Sequence, residues 1–132
     1  MTLAYVGEVK GDVRCVLERR AISLGRGRFL CVLDRIEALR PGLAVLAPFA
    51  PPPQLLGFAE GSQRLVRDVA ETVMHGPYHS HVTLARDADH VRPVSLSVPV
   101  IWPVREYVLC RSKSTGNGSY DILERWPLYE DL

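Results

Sequence analysis

The chain has 132 residues, enough for one domain and short of two. A formal net charge of +1 leaves no basic field of the kind a dedicated nucleic-acid binder shows. An apolar share of 47% belongs to an ordinary globular protein, and no apolar run is long enough to span a membrane.

Cys15, Cys31 and Cys110 are odd in number and far apart, so free thiols and a reducing cytoplasm are expected. Residues 1–6 read as a strand, with Thr2, Ala4 and Val6 on one face and Leu3 and Tyr5 on the other. Asp12 is placed to cap a helix running to Ile22, whose buried stripe is Val13, Val16, Leu17 and Ala21. Gly25-Arg26-Gly27 ends that element as a turn. Arg28 to Ile36 alternates as a strand, setting Phe29, Cys31 and Leu33 against Leu30, Val32 and Asp34. Pro41-Gly42 turns the chain into a buried strand, Leu43 to Ala47. Pro48 and Pro51 to Pro53 then make a stiff, extended crossing.

Ser62 is the expected cap of the clearest helix. Its inner face is Leu65, Val66, Val69, Ala70 and Val73, and its stop is His75-Gly76-Pro77. Next comes Tyr78-His79-Ser80-His81-Val82-Thr83-Leu84-Ala85-Arg86, read as a strand that projects His81 and Thr83 together and sends Val82 and Leu84 into the core. Asp87 to Pro93 is a polar loop. Extended chain from Val94 to Ile101, a strand from Val104 to Ser112, a hairpin loop at 114–118 and a closing strand from Ser119 to Trp126 complete the order. Helices alternating with strands and hairpins predict an α+β fold with largely antiparallel sheet.

An imidazole beside a hydroxyl on one strand face suits a reaction in which a proton moves while an oxyanion is held. The pair His81 and Thr83 is a weak signal alone. The first residues strengthen it, because Thr2-Leu3-Ala4 repeats Thr83-Leu84-Ala85. With Tyr5-Val6-Gly7-Glu8-Val9 after the first copy, and Tyr107 to Ser112 and Tyr120 to Leu128 near the end, the chain resembles the 2H phosphoesterases. The likeness is greatest to the branch called 2′-5′ RNA ligase or RNA 2′,3′-cyclic phosphodiesterase, and it covers nearly the whole chain.

That resemblance implies a pseudo-symmetric, two-lobed α+β fold around a central cleft, formed by residues 1–132 as one domain. It implies opening of a ribose 2′,3′-cyclic phosphate to a 2′-phosphate end, with 2′-5′ joining of RNA ends as a related activity. No metal or other cofactor is needed, and the partner is an RNA terminus or a 2′,3′-cyclic nucleotide. Carried onto this sequence, the catalytic residues are His81, Thr83 and Thr2, and the substrate-binding candidates are Tyr78, Arg86 and Tyr5. The family carries two His-x-Thr motifs, and here Met1 stands directly after the place of the first histidine. A start displaced past a strand, a helix and that histidine is therefore expected, with impaired turnover and an open sheet edge that invites a homodimer. Where the family usually has arginine and a second proline before the motif, this chain has Gly76 and Ser80. His75, His79 and His81 raise the question of a metal site, but no cysteine or carboxylate stands near them in sequence, so His79 is expected at the cleft edge or in water.

Overall fold

The computed structural model describes residues 1–113 and 118–130. Two helices and two antiparallel sheets make an α+β fold. Strand β1 (Phe29–Arg40) is the spine of the larger sheet, paired with β2 (Gly42–Ala47) on one side and β4 (Val94–Val104) on the other. Strand β3 (Val82–Ala88) adds to the outer edge of β2, giving the order β3-β2-β1-β4. The expected alternation in β1 holds: Cys31 and Leu33 are buried while Leu30 and Val32 lie exposed. Past Leu33, where the register with β4 shifts, the strand carries Arg35 and Glu37, so it is apolar at its start and charged towards its end.

Helix α2 (Pro53–Ala70) starts well before the expected cap at Ser62. The reason is Pro53, whose missing N–H costs nothing in the first helical turn. Ser62 sits mid-helix and its hydroxyl donates to the Phe58 carbonyl at 2.8 Å. The helix also stops early, at Ala70, where Glu71 turns left-handed (φ 57°) and its N–H closes on the Arg67 carbonyl. Leu65 and Val66 pack inward as expected, and Val69 and Ala70 flank them, but Val73 lies beyond the helix and is exposed. Helix α1 (Gly11–Ala21) presents Leu17 and Ala21 to that same cluster, leaves Val16 outside, and holds Asp12 in its first turn with Lys10 at the cap position.

The smaller sheet is a hairpin of β5 (Glu106–Ser112) and β6 (Tyr120–Pro127). Its expected loop at 114–118 lies, apart from Gly118, outside the described residues. Two strands alone are marginal. Tyr107 fixes this pair to the helices: its ring stacks on Trp126 at 5.2 Å and meets Phe58 edge-on at 4.9 Å. Its hydroxyl donates to the Ala21 carbonyl (2.7 Å) and accepts from the Gly25 N–H (3.0 Å). Burial lifts the phenol above its usual 10.0. Gly25 is glycine for room: a Cβ there would stand 2.9 Å from the Tyr107 ring.

Residues 1–6 form no strand, contrary to the alternation. Met1 and Leu3 pack on the cluster around Cys31, Leu33, Leu55 and Leu128, while Ala4 and Val6 pack between the helices. Among the described residues, no backbone–backbone hydrogen bond involves residues 1–9. Side chains hold the segment instead: Gln63 donates to the Leu3 carbonyl (3.2 Å) and Thr72 to that of Val6 (2.6 Å). No helix among the described residues is long and apolar enough to cross a membrane.

Candidate active site

Strand β3 begins later than expected, at Val82, and runs on to Ala88, taking in the start of the expected polar loop. Thr83 pairs with Val45, and Val45 pairs in turn with Glu37, so Glu37, Val45 and Thr83 form one row across three strands. Opposite residues in an antiparallel sheet share a face, which puts Thr83 on the face that carries Glu37. Ala47 and Val45, with 1% and 0% exposure, floor this part of the sheet. Val82 packs on the core as expected, but Leu84 is half-exposed: a register irregularity between Ala44 and Val45 breaks the simple alternation there.

His81 immediately precedes β3 and is partly buried. Its Nδ1 lies 2.7 Å from the backbone carbonyl of His79. A carbonyl can only accept, so Nδ1 carries the proton and donates, and Nε2 is left for a ligand. One residue thus fixes the orientation and the working nitrogen of the expected catalytic imidazole. Thr83 is exposed, with a hydroxyl open to a ligand.

The sequence reading missed Glu37. Its Oε1 is 2.8 Å from Nε2 of His79, and its Oε2 is 4.0 Å from Nη1 of Arg35. Arg35 in turn lies over the Phe49 ring, 4.4 Å from its centroid, and the Phe49 N–H donates to Asp34. A carboxylate does stand by His79, then, although 42 residues away in sequence. The signal was present in the series Phe29, Cys31, Leu33, Arg35, Glu37, which turns from apolar to charged within one strand. Among the described residues, no three His, Cys, Asp or Glu side chains converge as a metal site would require.

The remaining candidates divide. The Tyr78 hydroxyl donates to the Thr2 carbonyl at 3.0 Å, tying the first residues to the approach of β3. Burial raises this phenol too above 10.0. Beside it Ser80 is buried, with 4% exposure; its hydroxyl neighbours the Tyr78 phenol and has no other hydrogen-bond partner among the described residues. Arg86 is exposed, with no ion pair among the described residues. Tyr5 is 65% exposed. Tyr5 and Thr2 line a groove of about 1810 Å³ that runs between residues 1–9 and the β5–β6 hairpin; His81, Thr83 and Arg86 do not border it. This groove and the His81 face are therefore different places, linked through Tyr78 and Thr2.

Against known structures, the chain aligns over 98% of its length with LigT of Escherichia coli complexed with 3′-AMP, at 28% identity and a TM-score of 0.87, covering 76% of that chain. A structure described as a phosphoesterase gives 28% identity and a TM-score of 0.88 over the same shares. LigT complexed with ATP gives 30% identity and a TM-score of 0.78, with 98% of this chain covering 74% of that one. This chain is a 2H phosphoesterase of the 2′-5′ RNA ligase type. The protein TT0787 of Thermus thermophilus, at 24% identity and a TM-score of 0.76, shares the fold. No family model and no curated protein sequence matches. In the 132 residues of this 2H phosphoesterase the pattern His-x-Thr occurs once, at His81-Val82-Thr83.

Proposed function

We propose that this 2H phosphoesterase opens 2′,3′-cyclic phosphates on RNA ends or nucleotides, leaving a 2′-phosphate, and that joining of RNA ends through a 2′-5′ bond is the related transfer to a 5′-hydroxyl in place of water. The observation that carries the reading is the bond from His81 Nδ1 to the His79 carbonyl, which leaves Nε2 as a poised proton carrier two residues from the open Thr83 hydroxyl. Thr83 holds a non-bridging oxygen as charge builds on it. Thr2 is the proposed second hydroxyl, and the Tyr78 bond to its carbonyl steadies it. Arg86 offers an uncommitted cation for the phosphate, and Tyr5 an exposed ring on which a base can stack. LigT has been captured with 3′-AMP, ATP and phosphate, which fits a substrate of this chemical class.

The test is turnover of 2′,3′-cyclic AMP by the purified chain and by His81→Ala and Thr83→Ala. Loss of one proton carrier is expected to lower the rate by about 10²–10⁴-fold, with 3′-AMP affinity changed far less. Equal turnover in wild type and His81→Ala would end the proposal. A second reading, a nucleotide binder without turnover, predicts 3′-AMP binding by a chain with no hydrolysis.

A further inference from the structure

We infer that Glu37 is a positioning residue for His81, acting through His79: its carboxylate pins the His79 side chain and so holds the backbone carbonyl that aims the His81 ring. The inference rests on the phosphoesterase reading above and adds to it a residue of β1, outside the His-x-Thr motif and far from it in sequence.

From Glu71 to His81 the chain is in neither helix nor strand, so no ladder fixes the backbone on which the His81 ring depends. Side chains tie this stretch instead. Thr72 donates to the Val6 carbonyl (2.6 Å) and Tyr78 to that of Thr2 (3.0 Å), and both bonds lead to residues that are themselves outside any helix or strand. The bond from His79 Nε2 to Glu37 Oε1, at 2.8 Å, leads to the spine of the larger sheet. A carboxylate can only accept, so Nε2 carries the proton in that bond. The rotamer a side chain adopts is coupled to its own backbone angles. Fixing the His79 ring therefore restrains the His79 carbonyl, and that carbonyl takes the His81 Nδ1 proton at 2.7 Å.

Glu37 is suited to the task because it is held on its other side. Its side chain is only 22% exposed, and Nη1 of Arg35 lies 4.0 Å from Oε2. Arg35 is seated over the Phe49 ring, and the Phe49 N–H is tied to Asp34 at 2.7 Å. Strand pairing to Val45 fixes the Glu37 backbone. A half-exposed histidine paired with a glutamate contributes little to stability. The expected effect is on rate, where a displacement of about 1 Å can cost about 10²-fold.

Simple electrostatics predicts the opposite sign. Glu37 and Thr83 share a face with Val45 between them, two strand spacings or about 10 Å apart. Across that distance a carboxylate weakly repels an anionic substrate, so its removal would raise kcat/KM. A fall identifies positioning.

The experiment compares the intact chain with Glu37→Ala, Glu37→Gln and His79→Ala by two readouts. One is kcat and KM for 2′,3′-cyclic AMP; the other is nitrogen NMR of the His81 ring at about pH 8.5, where an ordinary imidazole is neutral. The wild type should show His81 with its proton on Nδ1. Glu37→Ala and His79→Ala should each lower kcat about 10–10²-fold, leave KM within about twofold, and give His81 a mixture of tautomers. The double variant should be no slower than either single one, because both cut the same tie. Glu37→Gln, whose amide oxygen still accepts from Nε2, should keep most of the rate and the tautomer. Glu37→Ala with the rate and tautomer of the wild type would overturn the inference, as would Glu37→Gln as slow as Glu37→Ala. If Glu37→Ala does not fold, His79→Ala decides by the same criteria. A wild-type chain that never turns over the cyclic substrate overturns the phosphoesterase reading, and the tautomer comparison then accepts or rejects the hold of Glu37 on His81 by itself.

Discussion

The tripeptide Thr-Leu-Ala occurs twice, at 2–4 and at 83–85, and the two copies meet different fates. At 83–85 it lies in β3, laddered to β2 and through it to the spine of the sheet. At 2–4 it has the same residues and no ladder, and its carbonyls are met by Tyr78 and Gln63 side chains. Strand propensity is a preference for a pleated, half-buried surface with neighbours, not a property of the tripeptide. The edge of β2 supplies those neighbours to the second copy. Around the first copy, packing against Leu55, Leu65 and their clusters decides the path instead.

Hydrogen exchange would break this comparison most directly. Amides of β2 and β3 should open only near the global unfolding free energy, about 5–15 kcal/mol, and those of residues 1–9 at almost none, so their rates should differ by several orders of magnitude. Comparable protection would mean that the first copy has a ladder after all. Val45→Ala, beneath the Thr83 ladder, is expected to cost about 2 kcal/mol in denaturant unfolding. The hairpin sharpens the contrast, since it too depends on side chains for its anchorage. Tyr107→Phe should cost about 1–3 kcal/mol, because the Ala21 carbonyl and the Gly25 N–H lose their shared partner.

Both raised tyrosines carry a sign. The folded chain holds these protons to higher pH than the unfolded chain does, so their stabilisation is complete below about 10 and is lost as pH rises through the folded values. Unfolding midpoints across that window should fall, and fall less in Tyr107→Phe. Smallest of all is Ser80→Ala. Removing this buried hydroxyl, whose neighbour is the Tyr78 phenol, should change stability by no more than about 1 kcal/mol, and a larger loss in denaturant unfolding would show a firm bond to that phenol.

Period and turn chemistry made the strands of the larger sheet legible, because Phe29, Cys31 and Leu33 alternate cleanly and Gly42 accepts the positive φ of 82° between β1 and β2. The start of α2 was hidden because Pro53 read as the end of a linker when it is in fact the first residue of the helix. His81 and Thr83 could be named from their motif. Glu37 could not, since its meeting with His79 depends on the register that lays β2 between β1 and β3. Residues 1–6 misled because alternation reports the availability of two faces and says nothing of whether a partner strand lies alongside.

Cys31, near the start of β1, has no exposed surface, and burial pushes its thiol above the usual 9.0, while Cys15 and Cys110 lie open. An alkylating reagent therefore meets two classes of sulfur in one chain. Two adducts form at the pace of free thiols, and the third forms only when the spine strand leaves its neighbours. The mass of the chain after a timed pulse of reagent becomes a clock for opening of the larger sheet, read without any added label.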